Sequence, residues 1–133
     1  MNTIDISSLE KALACLKQGL KDADKYPDVR TVRDGVVQQF EFTVDLSWKL
    51  LQRYLSKVLQ IDSTTIRTKN DIFREAAKNG LIPDAEPWIR YYSARNETAH
   101  TYDIDRATAV FDLALQFPPS ADALIIALKK ASA

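Results

Sequence analysis

The stretch from about Val29 to Leu59 limits the fold more than any other part of this chain. Val37, Phe40, Val44, Leu51, Leu55 and Val58 recur at helical spacing and mark one apolar stripe. Val36, Phe42, Leu46 and Leu50 fill a second flank. A helix that is apolar on more than one side belongs in the middle of a bundle. Thirty residues at 1.5 Å each would run about 45 Å, long enough for other helices to pack along it. Four polar residues, Glu41, Thr43, Asp45 and Ser47, lie among the apolar ones and are therefore of interest. Asp45 and Lys49 form an i,i+4 pair of favourable orientation.

The rest of the chain breaks into helices around this one. Ser7-Ser8-Leu9-Glu10 has the form of a capping box with Ser7 as N-cap, and Leu9, Leu13, Leu16 and Leu20 follow on one face. Tyr26-Pro27 ends that helix, because the residue before a proline is pushed out of the helical region. After a break at Ile61–Thr65, Thr68 or Asn70 can cap a short helix carrying Ile72, Phe73, Ala76 and Ala77, which Asn79-Gly80 stops. Asp84 caps a helix with Pro87 in its first turn and Trp88, Tyr91, Tyr92 and Arg95 along it, ending near His100–Tyr102. Asp103 or Asp105 starts a further helix, and Phe117-Pro118-Pro119 is expected to divide it from a last one, Ser120 to Lys130. No segment alternates as a strand would. The expected fold is all-α: an up-and-down helical bundle, four-helix core plus short connecting helices.

At 133 residues the chain is expected to form a single domain, 1–133. Its 18 basic and 18 acidic residues cancel, which argues against a bulk nucleic-acid surface but leaves room for a local basic patch. Cys15 is the one cysteine, so no intrachain disulfide forms, and a reducing, cytoplasmic setting fits. The N-terminus lacks a basic region followed by an apolar run, and no stretch approaches ~18 consecutive apolar residues, so neither a secretory signal nor a membrane span is expected.

The chemistry concentrates in Arg95-Asn96-Glu97-Thr98-Ala99-His100-Thr101-Tyr102. Arg95 is a fixed cation with a planar fork suited to phosphate. His100, the one histidine, can give or take a proton near neutral pH. Asn96 adds an amide and Tyr102 a hydroxyl. At about 100° per residue, Arg95 and His100 diverge by roughly 140° on an ideal helix. For them to converge on one substrate, the helix must stop near His100, or His100 must face a second copy of the chain. The plain alternative is a capping or packing histidine.

The octet resembles the Arg-x4-His-x-Tyr motif of the HEPN superfamily in its HepT-like branch. Independently, Phe40-Glu41-Phe42-Thr43-Val44-Asp45-Leu46-Ser47-Trp48-Lys49 resembles the Phe-Glu-Phe-Thr-Phe-Glu-Leu-Ser-Trp-Lys signature of the nucleotidyltransferase substrate-binding protein family, with Val44-Asp45 in place of Phe-Glu. Ile72–Ala77, Gly80-Leu81-Ile82 and Trp88 follow in that family's order. The resemblance implies a HEPN-like homodimeric bundle that works with a cognate minimal nucleotidyltransferase. One description makes such proteins metal-independent RNase toxins, inactivated when the partner transfers AMP to the motif tyrosine. The other makes them non-catalytic substrate-binding subunits. Carried over, the first gives Arg95 and His100 as the catalytic pair, Tyr102 as AMP acceptor, Asn96 as a supporting residue and RNA as substrate. It calls for no cofactor.

Glu41 and Asp45 share a helix face. They either support the site by orienting Arg95 or His100, or form an ordinary pair satisfied by Lys49, Arg53 or Trp48; the ordinary pair is the default. Nothing follows His100 at ligand spacing and no Glu-x-x-His motif exists, so no metal is expected. Trp88, Tyr91 and Tyr92 read as core or dimer contacts before base-stacking platforms. Arg30, Arg33, Lys49 and Arg53 read as a solvated basic face, and Cys15 as a small buried apolar residue.

Overall fold

The computed structural model describes residues 4–97 and 104–132. Five α-helices make up the regular structure there: α1 (Ser7–Lys25), α2 (Arg30–Arg53), α3 (Lys69–Lys78), α4 (Ala85–Glu97) and α5 (Ile104–Ser132). Among the described residues no strand occurs, and the all-α bundle expected from the periodicity is the architecture found. α2 continues without a break into a π turn, Tyr54–Val58, so the long helix spans the segment its periodicity outlined. Tyr54 and Leu55 of this turn are both buried.

α2 alone packs against all four other helices. Its apolar stripe supplies Val36, Val37, Phe40, Val44, Leu51 and Leu55 to the core, each at most 5% exposed. α1 crosses it closely at Gly19, where an added Cβ would sit 3.3 Å from Val36 Cγ2. Ion pairs Lys17–Asp122 and Lys129–Glu10 fix α1 antiparallel to α5. The centre of the core is an aromatic cluster. Phe117 of α5 meets Phe40, Trp88 and Tyr91 edge-on at ring-centroid distances of 5.4, 5.4 and 5.0 Å, and Trp88 stacks on Phe73 of α3 at 5.9 Å. Trp88 and Tyr91 are therefore core residues, and the Tyr91 hydroxyl shares a 2.8 Å hydrogen bond with Ser120.

Several expectations are corrected. Phe117-Pro118-Pro119 does not divide two helices; α5 runs through both prolines. The reason is packing. Val110, Ala114, Phe117, Ala121, Leu124 and Leu128 form one unbroken buried stripe across the prolines, and its burial outweighs the two missing N–H donors. Ser7 is not the N-cap of α1; Ile6 is, and the Asp5 carboxylate accepts from the Ser7 N–H and hydroxyl instead. Phe42, assigned to an apolar flank of α2, is 57% exposed, on the side of the helix away from the buried Val36–Val44 stripe. Cys15 is exposed, not buried. The remaining caps are as read. Thr68 and Asp71 form a reciprocal capping box on α3. Gly80 takes φ 77° just beyond the end of that helix. Asp84 Oδ1 accepts the Glu86 N–H at 3.1 Å. α5 is under way at Ile104, ahead of Asp105; Asp103 lies outside the described residues.

Although no 18 apolar residues run consecutively, Ala107–Ala131 of α5 is long and apolar enough, by length and composition, to cross a membrane. A core helix passes the same test, and the buried stripe just described accounts for one side of α5.

Candidate functional site

The polar residues at 41, 43, 45 and 47 of α2 separate into two i,i+4 pairs on different faces. Thr43 and Ser47 are fully buried, and their hydroxyls donate back to the Gln39 and Thr43 carbonyls of their own helix at 2.6 and 2.8 Å. Glu41 and Asp45 turn toward α4 and take hold of Arg95.

Arg95 Nε donates to Asp45 Oδ1 at 2.9 Å and Nη2 to Oδ2 at 3.0 Å, a bidentate fork between residues fifty apart in sequence. Nη2 also lies 3.1 Å from Glu41 Oε1. Trp48 Nε1 donates to Asp45 Oδ1 at 3.2 Å from one turn along α2. All three charged side chains are partly covered, at 24–33% exposure. Burial pushes the Asp45 carboxyl up, but the hydrogen bonds from Arg95 and Trp48 and the charges of Arg95 and Lys49 outweigh it, so the group is held below its usual range. Arg95 is held above its usual range, first by the hydrogen bond to Asp45, against the opposing pull of burial. The guanidinium is thus permanently charged and oriented by two points of attachment.

Here the default reading of the carboxylate pair is overturned. Trp48 does bind Asp45 as that reading allowed, but the main partner of both acids is Arg95. Lys49 makes a cation–π approach to Trp48 at 5.8 Å, and Lys69 from α3 lies 4.4 Å over the same ring, a neighbour no sequence spacing indicated. Asn96 is exposed beside Arg95 on α4. His100 and Tyr102 lie outside the described residues. Arg30 pairs with Asp34, and Arg33 lies 4.4 Å over Phe111, so these two arginines are not part of one stripe with Lys49 and Arg53. Among the described residues no group of three His, Cys, Asp or Glu side chains could hold a metal ion.

Fold and site together define an all-helical bundle whose central helix clamps the arginine of an Arg-x4-His motif through two carboxylates. The chain belongs to the nucleotidyltransferase substrate binding protein like family, whose model matches residues 4–130. It is 40% identical over 82 residues to a protein of Haemophilus influenzae named probable ribonuclease HepT; that stretch is 61% of this chain and 56% of the relative, so the chain spans little more than half of the relative's length. Its fold matches HI0074 of Haemophilus influenzae, described as the substrate binding domain of a nucleotidyltransferase, with a TM-score of 0.84 and 30% identity over 94% of this chain and 99% of that one. A protein from Thermus thermophilus matches with a TM-score of 0.79 and 29% identity over 90% and 98% of the two chains.

Proposed function

We propose that this chain is the HEPN-type toxin of a two-protein toxin–antitoxin pair, a metal-independent ribonuclease neutralised when a minimal nucleotidyltransferase transfers AMP to Tyr102. One observation carries the reading. The two sequence signatures behind the family resemblance meet in space, the Glu41 and Asp45 of one holding the Arg95 of the other. The relative named probable ribonuclease HepT supports the same direction.

In this reading two copies assemble into the working unit, and the RNA 2′-hydroxyl attacks its own 3′-phosphate. His100 takes the 2′ proton and returns one to the leaving 5′ oxygen; the new O2′–P bond forms as P–O5′ breaks, leaving a 2′,3′-cyclic phosphate and a 5′-hydroxyl. Arg95 offsets the charge that builds on the phosphorane oxygens. Asp45 and Glu41 are positioning residues, because they act through the Arg95 plane, and Asn96 supports the site from the next position on α4. AMP on Tyr102 would bring a negative phosphodiester near that cation and compete with RNA.

Expression without the partner is expected to arrest growth, and His100→Ala or Arg95→Ala to relieve the arrest. Purified protein should cut RNA in the presence of EDTA and leave cyclic phosphate ends. Co-expression with the nucleotidyltransferase should add one adenylyl mass that Tyr102→Phe abolishes. The family's description favours a second reading, a non-catalytic subunit that binds substrate for the nucleotidyltransferase. It predicts a stable complex of the two proteins, no toxicity, and intact RNA at every protein concentration.

A further inference from the structure

Lys49, Arg53 and Lys57 follow one another at i,i+4 along α2 and its π turn and line one side of a groove of about 510 Å³. Trp48, Gln52, Ser56, Ser63 and Ile66 complete its walls. Lys69 adds a fourth cation, its ammonium 4.4 Å over the Trp48 ring. No lining residue is acidic. The nearest carboxylates in sequence are already engaged: Asp45 by Arg95 and Trp48, Asp62 by Thr64, and Asp71 by the Thr68 cap and Arg74. Among the described residues, none of the four cations has a carboxylate within ion-pair distance. In a chain of zero net charge this is a concentrated positive field.

The groove also adjoins Arg95. Trp48 forms part of its wall, and the indole N–H binds the same carboxylate that holds the guanidinium. From Lys49 to Lys57 is eight residues, about 12 Å of helix. That equals three to four nucleotides of a stacked strand at ~3.4 Å each.

We infer that the Lys49–Arg53–Lys57 groove, with Lys69, is a phosphate track that grips the single-stranded RNA flanking the bond at Arg95. The inference rests on the ribonuclease reading for the identity of the polyanion. Lysine suits the role: its ammonium is a point charge that follows a backbone without reading bases. The Trp48 ring holds two of the ammoniums by cation–π contact, which limits the ordering they must undergo on binding. Ser63 offers a hydroxyl to the same phosphates, while that of Ser56 donates to the Gln52 carbonyl at 2.8 Å.

The test uses the full chain and a fluorescent 2′-O-methyl RNA 12-mer, which keeps the phosphates but lacks the attacking hydroxyl. The triple variant Lys49→Glu, Arg53→Glu, Lys57→Glu is expected to raise Kd by tenfold or more and to lower the slope of log K against log salt by about 2, three contacts at roughly 0.7 each. The glutamine triple variant should show the same direction, and guards against loss of fold from clustered acids. A charge-matched control on α1, Lys11→Glu, Lys21→Glu, Lys25→Glu, should leave Kd within about threefold. Equal losses in stripe and control variants, or unchanged binding in the stripe variants, would overturn the track while leaving RNA cleavage by the native chain to stand. Binding that depends on the stripe, in a protein whose His100→Ala variant is as toxic as the native one, would keep the track and remove the ribonuclease reading. A native chain that does not bind the 12-mer at all overturns the track.

Discussion

Asp45 is one methylene shorter than the glutamate at its place in the family signature, yet it makes the better contact with Arg95, both oxygens against two nitrogens. Glu41, with the longer arm, lies 3.1 Å from Nη2. The shorter side chain loses less rotamer freedom when held. Because the folded carboxyl is held below its usual range, its stabilising share is fully present above the unfolded value of about 3.9 and is lost as pH falls through the lower folded value. Asp45→Asn should therefore cost about 1–2 kcal/mol at neutral pH, a figure reduced from that of a buried pair by the partial exposure of both side chains. The difference from the native chain should shrink as pH drops below about 4, measured by urea midpoints across that range. On the ribonuclease reading Asp45→Asn also lowers kcat, and Asp45→Glu restores it. Arg95, Glu41 and Asp45 were each legible in sequence as candidates. Their mutual contact was one of two readings and not the default, because helical arithmetic relates residues four apart and does not choose between partners fifty apart.

The long helix shows what an element-scale reading captures. Periodicity located α2 and its π extension end to end, since a stripe of core residues must stay in phase to stay buried. Local chemistry likewise located Thr68 and Gly80. Thr68→Ala should cost about 1 kcal/mol in a thermal melt, through the lost cap on α3. Periodicity and local chemistry disagreed at Phe117-Pro118-Pro119, and the local rule lost. A proline in a helix interior costs roughly 3 kcal/mol against alanine, but one uninterrupted face from Val110 to Leu128 fills the core. The strain is still present, so Pro119→Ala is expected to stabilise. Pro119 is exposed, and its replacement returns an N–H toward the Leu115 carbonyl without opening a cavity. A gain of about 1–3 kcal/mol in the urea midpoint is expected, the upper end reduced because proline also restrains the unfolded chain. A loss of stability would mean that the restraint Pro119 places on the unfolded chain outweighs its missing N–H.

The whole molecule exposes an apolar face that a lone chain does not need. Leu115 and Ile126 are 51% and 56% exposed, and eleven residues apart they fall within about 20° of each other around α5. Pro119 and Ala123, also exposed, lie between them. This is why only 33% of the most apolar window of α5 is buried, although its inner stripe is fully packed. Such a face is compatible with a lipid contact or with a second copy. Asp122 lies on the same helix between Leu115 and Ile126, paired with Lys17 of α1, and a carboxylate–ammonium pair is costly to carry into hydrocarbon. On the homodimer proposed above, a second copy is the expected cover, and a net charge of zero does not oppose self-association. Light scattering should give the mass of two chains at micromolar concentration, and Leu115→Asp with Ile126→Asp should give the mass of one, with the helical circular dichroism unchanged because neither side chain is part of the core. One chain at every concentration in the native protein would remove the dimer. Two chains in the double variant would move the interface off α5, leaving the exposed Phe42 of α2 as the next face to substitute.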